Sequence, residues 1–206
     1  MTSVFSIHTM VSTRVLDKYG IALWRYHDHM HHHKPDKVFE GVTAELGWND
    51  YLVGGKSPNG GYLLQYILPK TTLGALAHEV KNKFGMNGLR VIGNMEAEVR
   101  KVGVLMHIWF ALMSGDKTMS IEKVHTVDLQ ECKFDVLISL ETLDWTVLSY
   151  IRDAAELGMP KGLLAVGHFN FEALGMRYMA NTWLPELLNG AVPVKYIEAG
   201  DMFSYI

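Results

Sequence analysis

The sequence predicts an α/β fold with strands mostly sandwiched between helices. Short apolar runs of strand length recur along the chain, as in Ile21-Ala22-Leu23-Trp24, Val136-Leu137-Ile138 and Leu163–Val166. Between them lie stretches whose apolar residues return every three or four positions, the spacing of an amphipathic helix. The 206 residues, 49% hydrophobic and 20% charged, match an ordinary globular composition. They suffice for one well-buried domain or two interlocked lobes, with roughly 70% of the unfolded chain's surface removed from water. No low-complexity linker interrupts residues 1–206, so a single α/β domain is expected.

Each element follows from local pattern. Val4, Ile7, Val11, Val15 and Leu16 predict a helix over 4–19, with Gly20 as its stop. Ile21–Trp24 reads as a short buried strand that delivers Tyr26 and His27 to its carboxyl end. Pro35 and Asp36 open a helix with an apolar face of Val38, Phe39, Val42 and Leu46. Residues 51–61, with Gly54, Gly55, Pro58, Gly60 and Gly61, read as a loop. Tyr62–Leu68 is a strand closed by Pro69, and Thr71–Phe84 is a helix through Leu73, Leu76, Ala77, Val80 and Phe84. Leu89–Ile92 and Val99–Met106 are strands, Met119–Cys132 a helix and Phe134–Leu140 a strand. Glu141–Leu157 is a helix with Leu143, Val147, Tyr150, Ile151 and Ala154 on one face. Leu163–Val166 is a strand with Gly167-His168 at its carboxyl end. A helix follows through Glu172, Met176 and Met179 toward Trp183, and Val192–Ile197 is the last strand.

Composition narrows the function classes. A net charge of −3 gives no electrostatic reason for nucleic acid or an anionic membrane. One cysteine, Cys132, precludes an intrachain disulfide and suits a reducing cytoplasm. The first twenty residues lack a basic head followed by an apolar core, so no secretory signal is expected. No apolar run reaches the ~20 residues that span a bilayer. The 12 methionines read as adaptable core filler.

Histidine placement carries the chemistry. Five of the 10 histidines fall within Trp24–Asp36, WRYHDHMHHHKPD, an internal run unlike a terminal tag. His27 ends an apolar strand, with His31 four residues on. His168 ends another, with Glu172 four residues on in GHFNFE. A spacing of four puts both side chains on one helical face, and α/β sheets gather ligands beyond the carboxyl ends of their strands. Imidazole and carboxylate are donors for zinc, iron, manganese or nickel. The plainer alternatives are a solvated histidine turn and a surface His-Glu ion pair. His29, His32 and His33 are expected in solvent, and His8, His78, His107 and His125 are read as structural. Glu141 follows Val136-Leu137-Ile138 and either points at the same sheet edge or serves as a helix N-terminal carboxylate. Cys132, inside a helical pattern, is a poor nucleophile. There is no Walker, GxGxxG or GxSxG motif.

At these residues the chain resembles the NIF-three-like family, also called dinuclear metal centre hexameric proteins or GTP cyclohydrolase I type 2 homologs. GHFNFEALGMRYMA resembles the family's Gly-His-x-x-x-Glu element, and VPVKYIEAGDMFSYI its closing strand. GIALWRYHDHMHHHKPDKVFEGVTAELGW resembles its His-rich metal segment, and LISLETLDWTVLSYIRDAAELG the strand and helix before the last metal motif. The resemblance implies mixed sheets flanked by helices, and metal ligands at His27, His168 and Glu172. His31 stands where the family has an aspartate, and neighbouring Asp28 is the candidate to supply that charge. The family's earlier histidine motif has no counterpart, so a shortened member holding one or two divalent ions is expected.

Two functions follow from the resemblance. One is a divalent-metal-dependent hydrolase acting on a nucleotide-like small molecule, with Glu141 handling the proton. The other is a non-catalytic metal-binding assembly or adaptor protein of the same fold. A homohexamer, with no membrane or nucleic-acid partner, is the expected assembly. A plain α/β protein with a histidine-rich turn is the third reading.

Overall fold

The computed structural model describes residues 7–24, 26–33, 35–54, 63–105, 134–140, 148–201 and 203–206. Two compact units divide the chain, Met1–Asp36 and Lys37–Ile206. In the first, α1 spans Ile7–Tyr19. It stops at Gly20, whose φ of +61° is cheap only without a Cβ. The Ile21 amide reaches back to the Leu16 carbonyl at 2.9 Å, a helix-ending bond of the kind glycine permits. The next four residues correct the expected strand. Ile21–Trp24 has no regular structure, and Ile21, Leu23 and Trp24 are 51%, 79% and 73% exposed. Strand propensity needs a neighbouring ladder, and the described part of this unit contains none. His27 therefore does not terminate a strand; it is the first residue of α2, His27–His32.

The second unit begins with α3, Lys37–Leu46, which buries Val38, Phe39, Val42 and Leu46 as its periodicity predicts. Part of the expected 51–61 loop is an edge strand, β1 at Leu52–Gly54, paired antiparallel with β2 at Leu63–Thr72. Strand β2 runs through Pro69 rather than ending there. Its register slips between Ile67 and Thr71, and an irregularity of that kind accommodates a residue with no N–H. Helix α4, Leu73–Phe84, is capped by the Thr72 hydroxyl, which accepts from the Ala75 amide at 3.2 Å, and by Gly85 in the left-handed region. Then come β3 at Arg90–Ile92, β4 at Glu98–Leu105 and β5 at Val136–Ser139. They are followed by α5 at Ser149–Glu156, β6 at Gly162–Ala165 and α6 at His168–Tyr178. Helix α6 continues into a π turn, Met179–Trp183, and a last turn, α7, at Leu184–Leu187. Residues 192–197, expected as a strand, have no regular structure; Pro193 removes one ladder donor. The expected helix at Met119–Cys132 and the Glu141 end of the following helix lie outside the described residues.

The described strands form one mixed sheet ordered β1-β2-β4-β5-β6-β3. Strands β4, β5 and β6 are parallel, and β2 and β3 flank them antiparallel. The central strand β5 is buried at all four positions, as expected where helices cover both faces. Phe134, Leu137, Ile151 and Leu163 form one cluster. Elsewhere Phe171 lies 5.3 Å from Phe39 and 6.1 Å from Phe84, ring to ring. Two glycines let α3 and α6 pack closely: a Cβ on Gly41 would lie 2.9 Å from Tyr178, and one on Gly175 only 2.8 Å from the Val38 carbonyl. An Arg177–Glu45 ion pair of 2.7 Å lies between the same helices.

Candidate functional site

The parallel strands set the site's position. Ser139 of β5 and Ala165 of β6 are register partners at the carboxyl edge, the edge where α/β sheets bind ligands. The Val166 amide donates to the Ser139 carbonyl at 3.1 Å, carrying the pairing one residue further. Gly167 then turns the chain with φ of +82°, and its carbonyl accepts the first α6 bond, from the Phe171 amide at 3.2 Å. His168 is thus the first residue of α6, as the sequence places it. Phe171 and Leu174 dock the helix through its buried side, 0% and 3% exposed.

His168 and Glu172 meet. Nε2 lies 2.7 Å from Oε1, and the two side chains are 34% and 21% exposed. An ordinary helix-surface ion pair would explain that contact, at a value of only about 0.3–0.5 kcal/mol. The order of the pair is unfavourable for that purpose. Pairs with the acid nearer the helix N-terminus stabilise more than the reverse order, and here the imidazole comes first, at the positive end of the helix dipole. The donor chemistry suits a borderline divalent metal: one imidazole and one carboxylate, already side by side on one face.

The histidine run lies in the first unit. His27 and Asp28 are both in α2, and their side chains lie outside the description. His31 is engaged with a residue the sequence reading passed over: its Nδ1 sits 2.8 Å from Asp36 Oδ2. Asp36 is five residues on, outside the i+4 window, and reads in sequence only as a helix opener. His29 is exposed and stacks on Tyr26, their rings nearly parallel with centroids 5.2 Å apart. His32 and His33 are exposed as expected. Glu141 lies outside the described residues. Among the described residues, no group of three or more His, Cys, Asp or Glu side chains converges as a metal cluster. The structure therefore joins His168 to Glu172 and His31 to Asp36, each within its own unit.

Two cavities flank α6. One of about 360 Å³ lies at the carboxyl edge among Arg90, Leu140, Val166, Asn170 and Tyr205. The other, about 460 Å³, has Glu172 in its wall together with Phe169, Met176, Leu184 and Ile197. Neither can be read from residue spacing, because each draws on segments far apart in sequence.

No protein-family model matches the sequence, and no curated protein matches it. Solved structures do. Staphylococcus aureus protein SA1388 matches over 100% of this chain and 76% of its own, with a TM-score of 0.67 at 15% identity. Protein ybgI, of unknown function, matches over 98% of this chain and 71% of its own, with a TM-score of 0.65 at 18% identity. A Bacillus cereus protein related to NIF3 matches over 71% of this chain and 36% of its own, with a TM-score of 0.49 at 20% identity. At these identities the likeness concerns architecture: the chain has a mixed α/β fold of the NIF-three-like kind.

Proposed function

We propose that this chain is a divalent-metal-binding protein of NIF-three-like fold and acts as a metal-dependent hydrolase. The observation that carries the reading is the His168–Glu172 pair, 2.7 Å apart where α6 starts beyond the carboxyl end of β6. These two residues would hold one side of the metal, zinc, iron, manganese or nickel, as one or two ions. The family resemblance suggests His27, His31 and Asp28 as further metal donors. A bound divalent cation supplies Lewis-acid activation of water toward a pKa of ~7. Glu141 is the proposed proton-handling carboxylate. A nucleotide-like small molecule is the substrate class that the family resemblance suggests, and the cytoplasm the proposed compartment. Among the described residues no helix is long and apolar enough to cross a membrane.

Metal analysis of untagged protein tests the reading. Wild type should retain about one or two equivalents of metal, and His168→Ala should lose them. A metal-free wild type prepared without chelator would end the proposal. Turnover is read separately, by screening nucleotides with metal-saturated protein.

A non-catalytic assembly protein is the second reading, and one observation favours it. Val192, Phe203 and Ile206 are more than half exposed near the C-terminal end, and apolar side chains left in water commonly mark contact surfaces. A homohexamer is the proposed assembly. Fully metallated protein that turns over no substrate, together with a hexamer in solution, would favour this reading over the hydrolase.

A further inference from the structure

The larger cavity beside α6 bears on what the pair acts upon. Its volume, about 460 Å³, is within the range of small-molecule sites, roughly 300–1,000 Å³. The lining is almost wholly apolar, with Phe169, Met176, Met179, Leu184, Val194 and Ile197 around it. Among the described residues only two charged side chains contribute, Glu172 and Lys195. Such a ratio, an apolar bowl with a very few polar points, is what fixes the orientation of an amphipathic small molecule. The π turn Met179–Trp183 forms part of the wall; single π turns inside helices often occur at functional sites. Opposite it, residues 194–199 run as a strap, and the Tyr196 hydroxyl donates to the Ala173 carbonyl at 3.4 Å.

Charge decides the class of occupant. A triphosphate needs several cationic or backbone donors, and this wall offers one lysine set against one carboxylate. An uncharged apolar body with a hydrogen-bond-donating head fits both the lining and Glu172.

We infer that this groove is the ligand pocket of the His168–Glu172 site and takes the apolar body of a small molecule, with its polar, reacting end at Glu172. The inference rests on the metal-site reading for its reacting end and narrows that site's small-molecule substrate to one with an apolar body and no phosphate chain.

The test uses N-phenyl-1-naphthylamine, a neutral apolar fluorophore with one N–H donor. The 206-residue chain should bind it saturably at one equivalent per chain. Ala173→Phe, which fills the bowl, should weaken binding at least about tenfold, equivalent to ~1.4 kcal/mol. Ile197→Asp, at a strap position that is 80% exposed and tolerant of change, should weaken it in the same direction if the first variant does not fold. GTP should not displace the probe. In protein loaded with Co²⁺, probe fluorescence should be quenched, and His168→Ala should relieve the quenching.

Unchanged probe binding in a folded Ala173→Phe and in Ile197→Asp overturns the inference, as does displacement by equimolar GTP. A shift in oligomeric state caused by Ala173→Phe also overturns it, because the groove would then seat a second copy of the chain. Metal content is measured on the same samples. A metal-loaded protein that fails to take the probe refutes the pocket alone, whereas a metal-free wild type refutes the site reading.

Discussion

Tyr66 is the residue with the sharpest physical signature. It is 1% exposed, and its hydroxyl lies 2.7 Å from the Thr43 hydroxyl, which also donates to the Phe39 carbonyl. Burial pushes its pKa up from 10.0 to about 12, and the Thr43 bond opposes that only in part. The folded state therefore holds this proton more tightly than the unfolded state. The stabilisation is complete below pH ~10 and is lost as pH rises through the folded value near 12, an amount of roughly 2–3 kcal/mol. Urea titrations at pH 9, 10 and 11 should show falling stability, and Tyr66→Phe should flatten this part of the slope. A slope unchanged in the Phe variant would show that Tyr66 does not titrate on unfolding. Two residues on α6 offer a second prediction at this scale. Glu172→Gln keeps the side chain's size but removes its charge, so metal affinity should fall about 10-fold or more while the thermal midpoint moves by only a few degrees. Calorimetric metal titration beside a melting curve checks both. The His168–Glu172 pairing was legible in the sequence because four residues on a helix always make neighbours. The His31–Asp36 contact was not, because it bridges a chain turn whose path no periodicity encodes.

At the scale of elements, the contact between α3 and α6 determines how firmly the pair is held. Gly175 faces backbone: an added Cβ would sit 2.8 Å from the Val38 carbonyl, and no side-chain rotation can relieve that. Gly175→Ala should separate the helices and cost ~1–3 kcal/mol, the usual range for overpacking. Gly41→Ala meets Tyr178 at its Cβ and ring, 2.9 Å away, and should also be destabilising. Denaturant midpoints of the two variants measure this, and an unchanged Gly175→Ala would argue against the close crossing. Helix α3 itself was legible: Val38, Phe39, Val42 and Leu46 repeat at helical spacing, and all four are buried. Its glycine contact was not, since a glycine in a helical pattern does not announce its neighbour. The misread strands share one cause. Ile21–Trp24 and 192–197 have β-type residues but no ladder, whereas Leu52–Gly54, read as loop, is a strand because β2 pairs with it. Strand identity is a property of pairs, and single-segment patterns carry only half of it.

Over the whole chain, the alternation of short apolar runs with helical patterns predicted the α/β class, and the sheet bears it out. Strand order was not legible, since it depends on contacts between residues far apart. Light scattering examines the proposed assembly: a homohexamer has six times the 23.2 kDa chain mass, and a monodisperse monomer at micromolar concentration would contradict it. Replacing exposed Val192 or Phe203 by a charged residue should lower the mass if those side chains lie in the contact. One connection in the sheet governs how the chain comes into being. Residues 90–92 are translated before their hydrogen-bonding partners, residues 163–165, which leave the ribosome about seventy residues later. A nascent chain must therefore carry an unsatisfied strand through that interval. Pairing of such long sequence separation is slow, and an exposed backbone edge in that interval invites association with other nascent chains.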